Sequence, residues 1–197
     1  MKKICKIFGI PLLSLLFIVN CNDKCGFMRS CTDKREISEY ERYFPLEVDN
    51  KWVYSYNGKP DYYMKVVGKK EINDNEYFKV LHSSVDNKYR TTVYYRWEDS
   101  KLFELNEDDN FESLLADFSL KEGEEFQKKI PGYGTDGYDV TVLSDDPNEF
   151  TFYYDSPELA DEEHTIIFRI NIGKFKERGE MLGKWATLTS YDLHCNQ

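Results

Sequence analysis

The sequence predicts an all-β domain with one short helix, in which an antiparallel meander curves into an open barrel or a two-sheet sandwich. From residue 43 onward, short runs of aromatic and β-branched residues alternate with turn residues such as Asn, Asp and Gly. The connections are too short for the crossover that parallel strands require, so neighbouring strands are expected to be antiparallel. About nine or ten twisted strands would curl or split rather than form a flat sheet.

The predicted strands follow each other with the same rhythm. In the first, residues 51–56, Trp52, Tyr54 and Tyr56 share one face. The turn 57–61 contains Gly and Pro and indicates a hairpin to the second strand. The other predicted strands are residues 62–67, 76–84, 89–97, 101–105, 126–130, 138–143, 149–154, 165–172 and 185–193.

One segment departs from strand alternation. Phe111, Leu114, Leu115 and Phe118 recur at helical spacing, which predicts the short helix over 110–118. Residues 131–137, with three glycines, and residues 156–163 are predicted as long loops. No linker-like composition interrupts residues 43–197, which predicts a single domain.

The N-terminus has the layout of a lipoprotein signal. Three lysines precede the apolar run 7–19, which ends at Asn20 and Cys21. This run is too short to cross about 30 Å of hydrocarbon as a helix, but it suits the apolar region of a cleaved signal. We predict a signal peptide over 1–20, lipidation at Cys21 and a polar tether over 21–42. The alternatives are an uncleaved signal anchor, or secretion with Cys21 free.

Lipidation would place the protein in the cell envelope. More than one acyl chain holds a protein stably at a membrane, and Asn20 before the cysteine resembles the looser signals of some diderm bacteria. We therefore expect an outer-membrane anchor. Removing the leader moves the formal charge from −10 to −13, which argues against nucleic acid as a partner and against adsorption of the folded part onto anionic lipid.

The cysteine count leaves two arrangements open. With Cys21 lipidated, Cys25, Cys31 and Cys195 remain, and we expect one disulfide between Cys195 and either Cys25 or Cys31, which would close a long loop. With Cys21 free, four cysteines allow three connectivities of two bridges. The spacing of Cys25 and Cys31 lacks the second pair of a zinc site.

The sequence shows no complete catalytic motif. The histidines are His82, His164 and His194, and neither a Gly-x-Ser-x-Gly elbow nor a His-Glu-x-x-His pair occurs. Acid-rich segments 107–112 and 145–149 offer oxygen ligands for calcium, but turns and helix caps are the preferred interpretation. We predict no metal and no cofactor. A hydrolase that uses paired carboxylates or His164 stays as an alternative.

The high aromatic content, 16% of the chain with 15 tyrosines, suits a binding groove or a packed sheet. Adjacent aromatic residues in a strand point to opposite faces, so at most half can face a cavity. Cross-strand packing is the preferred interpretation for most of them. As candidate ligand-facing residues we select Tyr63, Tyr95 and Tyr153.

The opening of the domain resembles a known pattern. Residues 43–54 read Tyr-Phe-Pro-Leu-Glu-Val-Asp-Asn-Lys-Trp-Val-Tyr, which is similar to the Tyr-Phe-Pro-Leu-x-x-Gly-Asn-x-Trp-x-Tyr opening of uncharacterised bacterial exported proteins and lipoproteins. Residues 172–175, with Leu188 and Tyr191, resemble their closing segment. The resemblance implies a β-rich envelope protein and supplies no catalytic residues. Asp49 replaces the usual glycine, and aspartate tolerates left-handed backbone geometry.

Physically, this opening segment predicts the anchors of the core. They are Phe44, Pro45, Leu46, Trp52 and Tyr54, with proline at a strand start or edge. The leading functional hypothesis is a non-enzymatic, lipid-anchored envelope domain that binds a small ligand or a protein partner. The alternatives are the hydrolase above and a structural or surface interaction protein.

Overall fold

The computed structural model describes residues 38–106, 111–130, 137–156, 163–179 and 184–194. The described chain begins with a 3₁₀-helix, Tyr40–Tyr43, and continues as twelve β-strands. The strands are β1 (Lys51–Ser55), β2 (Tyr62–Ile72), β3 (Asn75–Ser84), β4 (Arg90–Glu98), β5 (Lys101–Asn106), β6 (Phe111–Asp117), β7 (Glu125–Lys128), β8 (Tyr138–Asp146), β9 (Glu149–Asp155), β10 (His164–Arg169), β11 (Gly173–Gly179) and β12 (Lys184–Asp192).

All twelve strands belong to one antiparallel sheet, which confirms the predicted all-β meander. Consecutive strands pair with each other except β6 and β7, which are the two edges of the sheet, and β1 also pairs with β12. The strand order is therefore β6-β5-β4-β3-β2-β1-β12-β11-β10-β9-β8-β7. The sheet curls into a nearly closed barrel, and the two-sheet alternative is wrong. Across the remaining gap between β6 and β7, the Tyr154 hydroxyl of β9 donates a 2.6 Å hydrogen bond to the Leu115 carbonyl of β6.

The predicted helix over 110–118 is wrong, because residues 111–117 form strand β6. Leu102 pairs with Ala116 and Phe103 with Leu114, so a bulge leaves Leu115 as an extra residue. Such a bulge puts neighbouring residues on one side of the sheet, and Leu115 and Ala116 are both buried. The apolar spacing that suggested a helix therefore comes from an irregular strand.

Strand β11 is the element that the sequence prediction missed. The predicted strand 165–172 ends at Arg169 in the structure, and a turn with left-handed Asn171 (φ +59°) and Gly173 (φ +108°) leads into β11. A Cβ at Gly173 would lie 2.8 Å from Trp52 Nε1, so a side chain has no room there. Since β11 is rich in Lys, Glu and Arg, it lacks the apolar alternation that identifies a strand.

The hydrophobic core fills one end of the barrel, which we call the core end. Trp52 and Tyr54 of β1 are fully buried, as are Phe44 and Phe118 from the segments that cover this end. Of the other predicted anchors, Leu46 is buried and Pro45 is half-buried. Aromatic rings supply most of this core, as expected for an antiparallel sheet with one buried face.

The opening segment is fastened to the core end by polar contacts. Asp49 adopts the left-handed conformation (φ +75°), which aspartate tolerates better than most residues. The buried Asn50 side chain donates to the Pro45 carbonyl at 2.6 Å and accepts the backbone N–H of His194 at 2.5 Å. Residues 38–42, the last part of the predicted tether, also lie against the domain, where Arg42 Nε donates to Asn171 Oδ1.

Several predictions concern residues outside the described ranges. All the cysteines lie there, so the lipidation of Cys21 and the bridge among Cys25, Cys31 and Cys195 remain predictions. The acidic residues 107–110 lie there too. A search of the described residues for membrane spans returned no helix with the length and apolar character that a crossing needs.

Candidate functional site

The end of the barrel opposite the core contains a cavity of about 830 Å³. This cavity end carries the β1–β2 and β3–β4 turns, because antiparallel strands place alternate turns at the same end of a sheet. The walls come from β2, β3, β4, β5, β7, β8, β10 and β11, and the opening segment and β6 contribute to the floor. The main lining residues are Phe44, Tyr62, Met64, His82, Ser83, Val93, Tyr95, Glu104, Leu115, Lys128, Tyr138, Glu163, His164, Ile166, Phe168, Lys174 and Glu177.

The mouth and the floor of the cavity differ in character. Tyr56 and Tyr89, which are 38% and 61% exposed, lie at the mouth with Asp61. Phe44 and Phe168, both buried, form part of the floor. The cavity therefore leads from a wet, aromatic rim to an apolar base, which is the general layout of small-molecule sites.

Two lysine–glutamate pairs lie within the lining. Lys128 Nζ of β7 lies 2.5 Å from Glu104 Oε1 of β5, so this pair spans the gap between the two edges of the sheet. Lys174 Nζ lies 2.7 Å from Glu177 Oε2, and both residues belong to β11. Removing one partner from such a pair would leave an uncompensated charge in a partly desolvated site, so the loss of either partner is expected to destabilise the protein.

The ionisation of the interior groups follows from burial and from their neighbours. Burial acts to raise the pKa of Glu177, but the charge and hydrogen bond of Lys174 and the charges of the histidines hold it below its ordinary value. Burial lowers the pKa of His82 to about 4, and the nearby Lys174 ammonium adds to this shift while Glu177 and Glu104 oppose it. At neutral pH, Glu177 is therefore a carboxylate and His82 is uncharged.

Aromatic rings and protonated phenols form the rest of the wall or lie behind it: Tyr95, Tyr138 and His164 belong to the lining, and Tyr154 is fully buried next to His164. His164 stacks on Tyr154 with ring centroids 4.3 Å apart, and its ring meets Tyr138 edge-on at 4.9 Å. Tyr95 Oη lies 3.4 Å from His82 Nε2. Burial raises the pKa of Tyr95 and of Tyr154 well above the ordinary value, so both hydroxyls stay protonated and are able to donate hydrogen bonds.

Glu163 lies at the start of β10 and contributes a carboxylate to the lining. Its Oε2 atom is buried, and no hydrogen-bond donor among the described residues reaches it. Buried carboxylate oxygens are normally paired with donors. Glu163 therefore differs from Glu104 and Glu177, each of which faces a lysine ammonium.

The low pKa of His82 predicts a loss of stability at acidic pH. The unfolded chain takes up a proton near pH 6.5, whereas the folded protein does so only near pH 4. Between these values, protonation favours the unfolded state, so stability falls as the pH falls. Urea unfolding at pH 7 and at pH 4.5 measures how much unfolding free energy each protein loses on acidification. This loss should be about 2 kcal/mol larger for wild type than for His82→Gln.

The control for this prediction is His194→Gln. The His194 side chain is 53% exposed near the C-terminus, so this variant should show the same pH dependence as wild type. If His82→Gln loses as much stability on acidification as wild type, His82 does not carry the effect.

The three tyrosines predicted to face a ligand lie on different faces of the sheet. Tyr95 lines the cavity. Tyr63 and Tyr153 lie on the outward face of their strands, since they alternate with the inward residues Met64 and Tyr154. Tyr63 instead packs under the Lys51 ammonium, 4.7 Å from its ring centroid. The strand register therefore reverses the orientation expected for Tyr63 and Tyr153.

Sequence reasoning missed most of the polar residues of the site. Of the three histidines in the sequence, the structure brings His82 and the catalytic alternative His164 to the cavity and leaves His194 at the surface. Glu104, Lys128, Lys174 and Glu177 were not singled out. One sequence feature could have identified them, namely a charged residue at a strand position that faces inward. Glu104 is an example, because it lies two residues after the buried Leu102.

The second acid-rich segment, 145–149, has partners of its own. Asp145 pairs with Lys121 at 3.3 Å, and Glu149 pairs with Arg169 at 2.6 Å. Asp146 accepts the backbone N–H of Asn148 at 2.8 Å, as in a turn. Across the described ranges, no group of three or more His, Cys, Asp or Glu side chains is placed to hold a metal ion.

Comparisons with known proteins add one fold neighbour. No protein-family model matches the chain, and no curated protein matches it. Among solved structures, the chain is similar to a Bacteroides fragilis protein described as exported and as having a YmcC-like fold. The TM-score is 0.40 at 11% sequence identity, over 76% of this chain and 98% of the other. At this level of similarity, neither a function nor a ligand is transferred to this chain.

Proposed function

We propose that this protein is a lipid-anchored binding protein of the cell envelope and that the barrel cavity holds a small ligand. The observation that carries the proposal is the cavity itself, about 830 Å³ with an apolar floor, an aromatic wall and a few charged groups. Cavities of several hundred cubic ångströms with this mixture of surfaces are the usual form of small-molecule sites. A barrel interior that only stabilised the fold would be filled with side chains.

The charged groups support binding more than catalysis. A general acid in a hydrolase needs a carboxyl group with a raised pKa. In this cavity Lys174 and the neighbouring histidines hold the pKa of Glu177 low, in spite of burial. The arrangement therefore supports charge complementarity with a ligand, and the hydrolase alternative has no corresponding observation in its favour.

Binding of a neutral fluorescent probe tests the site. The mature domain should bind N-phenyl-1-naphthylamine saturably, because this uncharged aromatic compound fits an apolar, aromatic cavity. Val93 lines the cavity, so Val93→Trp should fill part of it and weaken the probe's affinity by about tenfold or more, which corresponds to about 1.4 kcal/mol. Fluorescence titration measures the affinity of the probe for the wild-type domain and for Val93→Trp.

The matched control is Val67→Trp. Val67 is 43% exposed and belongs to the outward face of β2, so a tryptophan there adds the same side chain without entering the cavity. The proposal fails if the wild-type domain shows no saturable binding, or if Val93→Trp binds the probe as tightly as Val67→Trp does.

The anchor has a separate test. Cys21→Ser removes the thiol that would carry the acyl chains, so the full-length variant should move from the membrane fraction to the soluble fraction of the cell envelope. Cys25→Ser, which alters a nearby cysteine of the same segment, should leave the wild-type distribution unchanged. Fractionation followed by mass spectrometry of the mature N-terminus measures the outcome, and a Cys21→Ser protein that stays with the membrane contradicts the anchor.

A further inference from the structure

We infer that the ligand of the barrel cavity is an organic cation, an amine or ammonium compound with an apolar body. This inference rests on the proposed binding function and names the chemical class of the ligand. Three features support it: the balance of charge in the described lining, the Glu163 oxygen that no described donor reaches, and the aromatic rings that lie close to the lysine ammonium groups.

The lining contains more negative than positive charge. Among the described residues of the lining, the carboxylates are those of Asp61, Glu104, Glu163 and Glu177, and the lysine ammonium groups are those of Lys128 and Lys174. His82 is uncharged at neutral pH. Even with a protonated His164, the carboxylates outnumber the cations, so a bound cation reduces the charge imbalance and a bound anion increases it.

The two lysines are already engaged by glutamates. Lys128 is within 2.5 Å of Glu104, and Lys174 is within 2.7 Å of Glu177. An anionic ligand would have to compete with these carboxylates in a partly desolvated space, where breaking an ion pair is costly. Each described lysine of the lining therefore already has a glutamate partner. An anionic ligand would find no unpaired lysine ammonium group among the described residues of the cavity.

Glu163 offers the corresponding acceptor for a cation. Its buried Oε2 has no donor among the described residues, and a carboxylate in this position gains most from a charged N–H donor. An ammonium group supplies up to three such donors. Glu163 borders the cavity beside His164, so its carboxylate lies close to a ligand amine in the cavity, and its Oε2 atom accepts no hydrogen bond from a described residue.

The aromatic walls are compatible with positive charge. Lys128 Nζ lies 5.9 Å from the ring centroid of Tyr138, which also lines the cavity. The fully buried rings of Tyr154 and Tyr54, which do not belong to the lining, have centroids 5.7 Å from Lys128 Nζ and 5.8 Å from Lys174 Nζ. These are cation–π distances. Tyr62 and Tyr95 provide further ring surface in the cavity, which suits both the charged head and the apolar body of an organic amine.

A matched series of dansyl probes tests the sign of the charge. Dansylcadaverine carries a terminal ammonium, N-dansyl-6-aminohexanoate carries a terminal carboxylate and dansylamide is neutral, while the fluorescent body is the same. The mature domain should bind dansylcadaverine about tenfold more tightly than the carboxylate probe, which is the range of a hydrogen bond to a charged group. Added NaCl should weaken the binding of the cationic probe most.

Glu163→Gln identifies the contact, and Glu71→Gln is its matched control. Glu163 Oε2 has no hydrogen-bond partner to lose among the described residues, so thermal unfolding of the variant should be close to that of wild type. Its affinity for dansylcadaverine should fall by about tenfold, with no change for dansylamide. Glu71 is exposed in β2 away from the cavity, so Glu71→Gln should bind all three probes as wild type does.

The outcomes separate this inference from the proposed function. If the carboxylate probe or dansylamide binds as tightly as dansylcadaverine, the cation inference is overturned, while the cavity remains a binding site. A preference for the amine that Glu163→Gln leaves intact overturns the assignment of Glu163. If none of the three probes binds saturably, the proposed function fails and this inference fails with it.

Discussion

Replacing Trp52 by alanine is expected to lower the free energy of unfolding by about 3–5 kcal/mol. The Trp52 side chain is fully buried, it lies against Phe44 with ring centroids 5.1 Å apart, and its indole N–H donates to the Ile172 carbonyl at 2.5 Å. The variant would leave a large cavity and an unpaired carbonyl. Chemical denaturation, with the midpoint and slope fitted separately, measures the loss.

Two further variants separate the contributions of Trp52. Trp52→Phe keeps most of the apolar volume but removes the donor to Ile172, so it should cost about 1–3 kcal/mol. Trp185→Ala makes the same chemical change at a residue that is 36% exposed, and its cost should be clearly smaller. If Trp52→Ala is no more destabilising than Trp185→Ala, Trp52 does not anchor the core.

Phe118→Ala is expected to have an effect of similar size, about 3–5 kcal/mol. Phe118 is buried at the centre of the aromatic core, where five other rings have centroids within 5.4 Å of its own. These rings come from the opening segment and from β4, β9 and β10. The alanine variant would therefore weaken contacts between distant parts of the chain, and denaturant unfolding should show the loss as a lower midpoint.

Phe118→Leu and Phe175→Ala provide the comparison. Leucine retains apolar volume but forfeits the ring–ring geometry, whose value is about 0.5–1.5 kcal/mol for each pair, so Phe118→Leu should be intermediate. Phe175 is half-buried, with the Arg169 guanidinium 3.6 Å from its ring centroid. A cost for Phe175→Ala equal to that of Phe118→Ala would contradict the central role of Phe118.

The sequence predicted most of the strands because alternation is a local signal. Residues 149–154 alternate apolar and polar side chains and form β9 with alternating burial. The two errors in element type have a common cause, since both concern strands whose pattern is not simple alternation. The bulge at Leu115 gives the apolar residues of β6 a spacing like that of a helix. Strand β11 carries charged residues, Lys174 and Glu177, at inward positions.

The candidate site was less predictable than the fold. Glu104 and Lys128 are separated by 24 positions in the chain, and their contact depends on how far the sheet curls across the gap between β6 and β7. Orientation was also difficult to predict. In a pair such as Tyr153 and Tyr154, only one residue faces inward, and a shift of one residue in register exchanges them.

The sequence by itself determined that the chain forms an antiparallel meander and that Trp52 and Tyr54 belong to the core. These features depend on side-chain periodicity and on short turns, which act between residues close in the chain. The tertiary structure alone decided that the sheet curls into a barrel, which inward positions are filled and which surround a cavity, and that lysines, glutamates and histidines from separate strands meet there. Those features depend on bulges, register and closure, which are fixed only when all the strands pack together.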